Sequence, residues 1–304
     1  MKTIIETFDL TKIYKLKGHH QEILALDKAN LSINEGETFG LLGPNGAGKT
    51  TMIQILVTLL QPTSGYALID GFNIRKQQIE IKKRIGLMLG STMIYRRITG
   101  YNNLKFFCKI YDIKNYNERI HEIAKEFGLE RWLNQYVERY SSGMRTKLAL
   151  CRALLIEPPI LFLDEPTFGL DISSKLFVVD KLKKLNLTIF LTSHDMNVAE
   201  KLCDRIAFIK EGKILKVGTQ KELKTLIKSE INISVDIYQG KKELKSELNQ
   251  QSFINDASDS NSGLIIKLND KNYYKDLFSI LRKYNVQKIR EHDLSLEDLF
   301  VKII

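Results

Sequence analysis

Residues 38–50 have the sequence TFGLLGPNGAGKT, which decides the fold of the chain. A short apolar run ends at Leu42, and the residues after it fit the pattern G-x-x-x-x-G-K-[ST]. Glycines allow backbone N–H groups to curl round phosphate oxygens, and a helix after the loop would direct its positive end at the same anion. The pattern arises by chance in about one chain in a hundred of this length, so its context of strand and helix matters. The stretch therefore predicts a nucleotide site.

We expect the whole loop and the residue after it to contact the nucleotide. The expected contacts are Gly43, Pro44, Asn45, Gly46, Ala47, Gly48, Lys49, Thr50 and Thr51. Lys49 can reach the β- and γ-phosphates and is also expected to act in catalysis. The hydroxyl of Thr50 can ligate Mg²⁺, so Thr50 is a predicted metal ligand.

A second apolar run, residues 160–163, ends in Asp164 and Glu165. A carboxylate buried without a partner is costly, so a strand that ends in two acids should present them to a cation or to water. Asp164 is expected to hold Mg²⁺, through a water molecule, and Glu165 to polarise the attacking water. The alternative for both acids is a structural cap at the end of the strand.

A third apolar run, residues 187–192, leads to His194. Open α/β sheets bind ligands at the carboxyl ends of their strands, which is where this histidine is predicted to lie. We expect His194 to donate a hydrogen bond to the γ-phosphate, although a lone histidine more often has a structural role.

Strands alternate with helices through residues 1–225, which predicts an α/β domain with a largely parallel sheet covered on both faces. Residues 91–155 are mostly helical in pattern and are expected to form a subdomain inserted between the strands. Residues 226–304 are expected to form a small C-terminal α+β domain. Within it, residues 231–237 alternate as a half-buried strand does, residues 255–263 form a polar loop, and a helix begins near Asn272.

Composition excludes several classes of protein. The chain has 304 residues with 43% hydrophobic and 27% charged, an ordinary globular balance. No apolar run approaches the length of about 20 residues that a membrane helix needs, and no secretory signal is apparent, so we expect a cytoplasmic protein. Its three cysteines lie in no C-x-x-C pair and are expected to be buried thiols. The net charge of +10 lies before residue 228, which indicates either an anionic partner or a lysine-rich solvated surface.

One more motif completes a known pattern. The sequence YSSGM, residues 140–144, precedes the acid-terminated strand by about 20 residues. Together with the phosphate loop, it makes residues 3–225 resemble the ATP-binding subunit of an ABC transporter. The resemblance implies a P-loop NTPase core of the ABC type with a helical subdomain. It also implies ATP and Mg²⁺ as cofactors.

The resemblance assigns further residues to the ATP site. YSSGM stands where the family has its L-S-G-G-Q signature, and it keeps Ser141 and Gly143. In this family two copies pair head to tail, so these two residues would contact the ATP bound by the partner in a homodimer. Asp171 matches the aspartate of the family's D-loop. Tyr14 matches the aromatic residue that stacks on adenine, with ordinary strand packing as the alternative.

The resemblance also implies a function. The chain would be an ATPase that powers transport, most simply export, through a separate multi-spanning permease, and would lie on the inner face of the cell membrane. The signature and the tail sequence LSLEDLF, residues 294–300, resemble bacterial and archaeal exporters of drugs, antibiotics and sodium. Residues 90–107, including Tyr95 and Arg97, are expected to contact the permease, unless they are only a packed part of the helical subdomain.

One position departs from the family. The family usually has a glutamine at the end of a strand about 40 residues after the loop lysine, and here the residue is Gly90. Glycine has no side chain to bind a metal, so water could fill that coordination position. The alternative function is a non-transport ABC-type ATPase that acts on ribosomes or nucleic acid. The single cassette disfavours it, as does the lack of coiled-coil or zinc motifs, and no nucleic-acid partner is expected.

Overall fold

The computed structural model of the chain describes residues 2–15, 22–90, 94–225, 231–260, 262–292 and 296–303. The chain falls into two compact units, Met1–Gln220 and Lys221–Ile304. The sequence predicts this boundary after residue 225. In the described part of the chain, no helix combines the length and the apolar composition needed to cross a membrane.

The first unit contains ten strands and seven helices among its described residues. The strands are β1 Thr3–Lys15, β2 Glu22–Asn34, β3 Thr38–Leu42, β4 Ser64–Ile69, β5 Phe72–Asn73, β6 Ile85–Leu89, β7 Ile160–Asp164, β8 Thr188–Ser193, β9 Arg205–Lys210 and β10 Lys213–Thr219. The helices are α1 Lys49–Leu56, α2 Gln78–Lys82, α3 Gly100–Ile110, α4 Tyr116–Glu126, α5 Ser142–Leu154, α6 Ile172–Lys183 and α7 Met196–Leu202. Helix α8, Gln220–Thr225, begins at the last residue of this unit.

A six-stranded sheet forms the centre of the first unit, in the order β10-β9-β3-β8-β7-β6. Strands β9, β3, β8, β7 and β6 run parallel to one another, and β10 is antiparallel to β9. Its apolar runs are buried, and the rings of Phe39 and Phe162 lie 5.8 and 5.7 Å from that of Phe190. Parallel strands covered on both faces need such continuous apolar sequences. The predicted α/β class with a largely parallel sheet is confirmed.

A second sheet, antiparallel and in the order β2-β1-β4-β5, lies against the first through helix α1. Met52 and Ile53 of α1 are buried in the same apolar cluster as Leu10 of β1 and Phe39 of β3. Because α1 is packed between two sheets, the position of the loop that precedes it is fixed.

Helices α3, α4 and α5 lie between β6 and β7 in the chain, together with short 3₁₀ segments at Glu130–Trp132 and Val137–Arg139. This is the region predicted to be a helical subdomain, except that residues 91–93 lie outside the described part. The side-chain amide of buried Asn103 accepts a hydrogen bond from the N–H of Tyr95 (2.7 Å). The same amide donates to the carbonyls of Tyr95 (2.9 Å) and Thr99 (3.0 Å), so it holds the segment that enters α3.

The second unit has four antiparallel strands in the order β12-β13-β11-β14. Its elements are β11 Ile231–Ile237, α9 Lys241–Asn249, β12 Ile254–Asp259, β13 Gly263–Leu268, a 3₁₀ turn at Lys271–Tyr273, α10 Tyr274–Leu281, β14 Val286–His292 and α11 Leu296–Ile303. Through β14 the chain order is βαββαβ, the ferredoxin-like arrangement. Residues 294 and 295 of the tail motif lie outside the described part, and the rest of the motif is in α11.

One expectation for the second unit was wrong. Residues 255–259 were predicted to belong to a polar loop, and they form most of strand β12. Ile254 and Ala257 are buried against the core, while Asn255 and Asp259 face solvent. β12 is an edge strand with one covered face, so two buried apolar residues suffice and polar residues fill the rest.

The packing of the central sheet gives a first prediction. Phe190→Ala should lower the free energy of unfolding of the first unit by about 3–5 kcal/mol, because the lost ring leaves a cavity between two other phenylalanines. Urea unfolding followed by the fluorescence of Trp132, the one tryptophan of the chain, measures this change. Ile79→Ala, at a side chain that is 70% exposed, is the control and should cost less than about 1 kcal/mol. Equal losses in the two variants would contradict the core position of Phe190.

Candidate active site

The loop between β3 and α1 is shaped by close backbone contacts. A Cβ on Gly43 would lie 2.1 Å from the carbonyl oxygen of Ile209. Gly48, the N-cap of α1, has a φ of 105° in the left-handed region, and a Cβ there would lie 2.3 Å from the carbonyl oxygen of Ala25. Only glycine avoids both penalties. The loop therefore turns back over the N-terminus of α1, where unpaired N–H groups can receive phosphate oxygens.

Lys49 provides a buried positive charge at this loop. Its side chain is only 6% exposed, and its ammonium donates hydrogen bonds to the carbonyls of Gly43 (2.7 Å) and Pro44 (3.1 Å). The ammonium also lies 3.3 Å from Oε1 of Glu165. That oxygen has no hydrogen bond of good geometry, so the contact is an ion pair. The structure thus joins the phosphate loop directly to the acid-terminated strand.

Asp164 ends β7 between two hydroxyl groups. The hydroxyl of Thr50 donates to Oδ2 of Asp164 (2.9 Å), and the hydroxyl of Thr192 donates to Oδ1 (2.6 Å). Hydroxyl and carboxylate oxygens are the ligand type that Mg²⁺ prefers. Thr50 and Asp164, the two predicted metal ligands, therefore lie in contact and fit a divalent cation.

Glu165 follows the strand with a φ of 50°, which is uncommon for a residue with a side chain. Its Oε2 lies 2.9 Å from Nδ1 of His194, and its Oε1 faces Lys49. The His194 side chain is 40% exposed, and its ring packs edge-to-face with that of Phe168 at a centroid distance of 5.5 Å. The three predicted catalytic residues, Lys49, Glu165 and His194, are thus brought together.

Tyr14 lies in β1 opposite Ile23 of β2 and is half-buried. Its hydroxyl is 3.4 Å from the hydroxyl of Thr51 in α1. The ammonium of Lys12 lies 5.3 Å from the centre of the Tyr14 ring. The aromatic residue therefore stands beside the helix that begins at the phosphate loop, where a base could stack on its ring.

The signature residues form a separate group at the N-termini of α5 and α6. Exposed Ser141 caps α5 and accepts a hydrogen bond from the N–H of Met144 (3.2 Å). Gly143 is buried, and a Cβ on it would lie 2.5 Å from the hydroxyl oxygen of Ser174. Asp171 caps α6 and accepts from the N–H of Ser174 (2.9 Å). In the described part of the chain, no hydrogen bond joins Ser141 or Asp171 to Lys49, Asp164 or Glu165.

Hydrogen bonds control the ionisation of Asp171. The hydroxyl of Ser173 donates to its carboxylate (2.6 Å), as does the N–H of Ser174. These donors hold the pKa of Asp171 far below its usual range, so the residue is an anion at every physiological pH.

Two contacts beside the predicted site residues could not be predicted from the sequence. Thr192 is fully buried and touches both acids of the site, and the only signal for it was a hydroxyl near the end of an apolar strand. Lys175 of α6 pairs with Asp195 at 2.6 Å, and Asp195 caps the helix that follows His194. Burial raises the pKa of Asp195, but the hydrogen bonds from Lys175 and from backbone N–H groups outweigh burial and lower the pKa overall.

Gly90, the departure noted in the sequence, directly follows β6 with a φ of 55°. A Cβ built there meets no atom of the described residues within 4 Å. Leu89 beside it pairs with Asp164, so the position borders the metal-ligand candidates without offering them a side chain.

The chain is similar to known proteins of one family. The family model described as "ABC transporter" matches residues 26–168. The ABC transporter ATP-binding protein NatA of Bacillus subtilis (strain 168) is 40% identical over 207 residues, which cover 66% of this chain and 84% of that protein. The bacitracin transport ATP-binding protein BcrA of Bacillus licheniformis is 36% identical across 100% of this chain and 98% of its own.

A solved structure extends the comparison. The dimeric ATP-binding cassette MJ0796, in a post-hydrolysis state bound to ADP and Pi, superposes with a TM-score of 0.65 at 30% identity. The match covers 71% of this chain and 98% of that one.

The geometry of Lys49 predicts its contribution to binding. Lys49→Ala should raise the dissociation constant for ATP by about 10- to 100-fold, because charge-assisted hydrogen bonds to phosphate are lost. Isothermal titration calorimetry without metal measures the change. Lys213→Ala, at a side chain that is 64% exposed, is the control and should bind ATP as the unaltered chain does. An unchanged affinity in the Lys49 variant would contradict its place at the phosphates.

Proposed function

The chain belongs to the ATP-binding proteins of ABC transporters, and from this premise we propose that it powers export through a separate membrane-spanning permease. Members of the family are ATPases, and the chain binds and hydrolyses ATP as such a subunit. Export is supported by the wider set of relatives, which includes a fluoroquinolones export ATP-binding protein of Mycobacterium tuberculosis. These relatives give no support to the alternative of an ATPase acting on ribosomes or nucleic acid, and we propose no nucleic-acid partner.

The contact of Glu165 with both Lys49 and His194 carries the part of the proposal that concerns ATP hydrolysis. In our account the Glu165 carboxylate accepts a proton from the attacking water, as a general base. Lys49 neutralises charge on the phosphate oxygens as it develops. In this account both ring nitrogens of His194 carry a proton: Nδ1–H donates to Glu165 (2.9 Å), and Nε2–H donates to the γ-phosphate. The hydrogen bond between the two side chains thus fixes the histidine for that role.

Thr50 and Asp164 would hold Mg²⁺ in this account. The ion, when bound, supplies charge neutralisation at the β- and γ-phosphates. The hydroxyl of Thr50 already lies 2.9 Å from the Asp164 carboxylate, which supports a shared ligand set. Tyr14 would stack on the base, and residues 43–51 would surround the phosphates.

We further propose that two copies pair head to tail. Among the described residues, Ser141 and Asp171 make their side-chain hydrogen bonds at the N-termini of α5 and α6 and none with Lys49, Asp164 or Glu165. In such a dimer a chain would therefore contribute to two different ATP sites. The dimeric cassette of similar fold supports this arrangement. ATP would then lie between the phosphate loop of one protomer and the Ser141 end of helix α5 of its partner.

The permease contact is proposed for the segment that leads into α3. Tyr95 is 53% exposed, and its ring packs on Phe106 at a centroid distance of 5.4 Å. Arg97 is exposed two residues further on. The amide of Asn103 holds the backbone of this segment, so the exposed side chains stand on a fixed support. Through this contact the chain would lie on the inner face of the cell membrane.

Glu165→Gln tests the catalytic proposal. The variant should bind ATP with unchanged affinity and lose turnover by at least about 100-fold, because an amide cannot accept the proton of water. It should also accumulate as an ATP-bound dimer, seen by size-exclusion chromatography with light scattering. Glu157→Gln, at an exposed acid of the same charge, is the control. Turnover retained by the Glu165 variant would overturn the role of this residue.

A charge reversal tests the permease contact. Arg97→Glu should reduce the amount of multi-spanning membrane protein that co-purifies with the tagged chain from native membranes, by about tenfold if the contact is central to the interface. ATP hydrolysis by the isolated chain should not change. Lys114→Glu, at another exposed cation of the helical region, is the matched control. Equal recovery of the membrane protein with both variants would contradict the proposed contact.

A further inference from the structure

Thr192 is a fully buried polar residue beside the two acids of the site. It lies in β8 with an exposure of 0%, directly opposite Asp164 of β7. A buried hydroxyl needs hydrogen-bond partners, because an unpaired one costs stability. Thr192 uses its hydroxyl in both directions: it donates to Oδ1 of Asp164 (2.6 Å) and accepts from the N–H of Glu165 (3.1 Å).

The first of these bonds sets the direction of Asp164. With Oδ1 held by Thr192, the other oxygen, Oδ2, is the one that meets the hydroxyl of Thr50 (2.9 Å). A hydrogen bond to a carboxylate is short and charge-assisted, so it restrains rotation of the carboxylate plane. Thr192 therefore selects which oxygen of Asp164 faces Thr50 and the proposed metal position.

The second bond supports the unusual backbone of Glu165. The N–H of Glu165 donates both to the hydroxyl of Thr192 (3.1 Å) and to the backbone carbonyl of Thr192 (3.2 Å). The φ of 50° at Glu165 is costly for a residue with a Cβ, and such conformations persist only where surrounding contacts enforce them. The turn that results directs the carboxylate to His194 and Lys49 instead of along the strand.

We propose that Thr192 is a positioning residue for ATP hydrolysis, whose one hydroxyl orients both the metal-binding carboxylate of Asp164 and the catalytic carboxylate of Glu165. The proposal rests on the function assigned above to this site. Thr192 touches neither nucleotide nor water in this account and acts only through the two acids.

Two substitutions separate the hydroxyl from the rest of the side chain. Thr192→Val keeps the shape and removes the hydroxyl, while Thr192→Ser keeps the hydroxyl and removes a methyl group. Thr188→Val is the matched control, because Thr188 lies in the same strand and is 2% exposed. Its hydroxyl accepts from the N–H of Gly36 (2.9 Å), away from the two acids.

The measurements are turnover and metal binding in the full chain. Binding of Mn²⁺ in the presence of a non-hydrolysable ATP analogue is followed by electron paramagnetic resonance of the free ion. Thr192→Val should lower kcat and weaken Mn²⁺ binding by about 10- to 100-fold each, the usual effect of losing a residue that orients a metal ligand. Affinity for the analogue without metal should stay within about twofold, since the phosphate loop is untouched. Thr192→Ser should recover most of both losses.

Several results would overturn the proposal. One is a valine variant with unaltered kcat and Mn²⁺ affinity. Another is an equal loss in Thr192→Val and Thr188→Val, which would show a general effect on the strand. If Thr192→Val does not fold, Thr192→Ala is compared with Thr192→Ser by the same two measurements, and equal values would reject the role of the hydroxyl. Mn²⁺ binding needs no hydrolysis, so it tests Thr192 even if Glu165→Gln retains turnover and the catalytic assignment fails.

Discussion

The register between the parallel strands β3, β8 and β7 is the constraint on which the site depends. Leu42 pairs with Ser193, and Asp164 pairs with Thr192, so the three strands end at the same level. The phosphate loop leaves the first strand, the histidine follows the second, and the two acids close the third. A change of one residue in this register would move each side chain to the opposite face of the sheet. The distances within the site are therefore a consequence of the hydrogen-bond ladder of the core.

Electrostatics then explains why the site is held together so firmly. Lys49 is almost completely buried, and a buried ammonium is tolerated only with close partners. Two loop carbonyls and the Glu165 carboxylate supply them. The same ion pair directs the Glu165 carboxylate into the site, beside His194. A nucleotide phosphate would satisfy Lys49 more strongly than carbonyl oxygens do, because it carries full negative charge. We infer that Lys49 exchanges partners when ATP binds, and that its contact with the Glu165 carboxylate changes as a result.

Motifs with strong local requirements were the part of the site that could be predicted from sequence. The glycines of the phosphate loop are required by close backbone contacts. The two acids at the end of β7 would cost stability without a partner, so they indicate a cation or water beside them. Thr192 could not be predicted, because a threonine in an apolar strand has no distinctive pattern and its role depends on register with a distant strand. Gly143 was expected only to contact nucleotide, and its close packing on Ser174 depends on how α5 and α6 meet. Strand β12 was missed because its polar composition resembles that of a loop.

Our central claim is that one chain holds parts of two different ATP sites, with Glu165 in one and Ser141 in the other. Mixing two inactive variants, Glu165→Gln and Ser141→Arg, tests this claim most directly. A mixed dimer has one site with both lesions and one intact site. Equimolar mixing before ATP is added should therefore restore about a quarter of normal turnover, because half of the dimers that then form are mixed and each has one working site. A mixture as inactive as either variant alone would contradict the shared site.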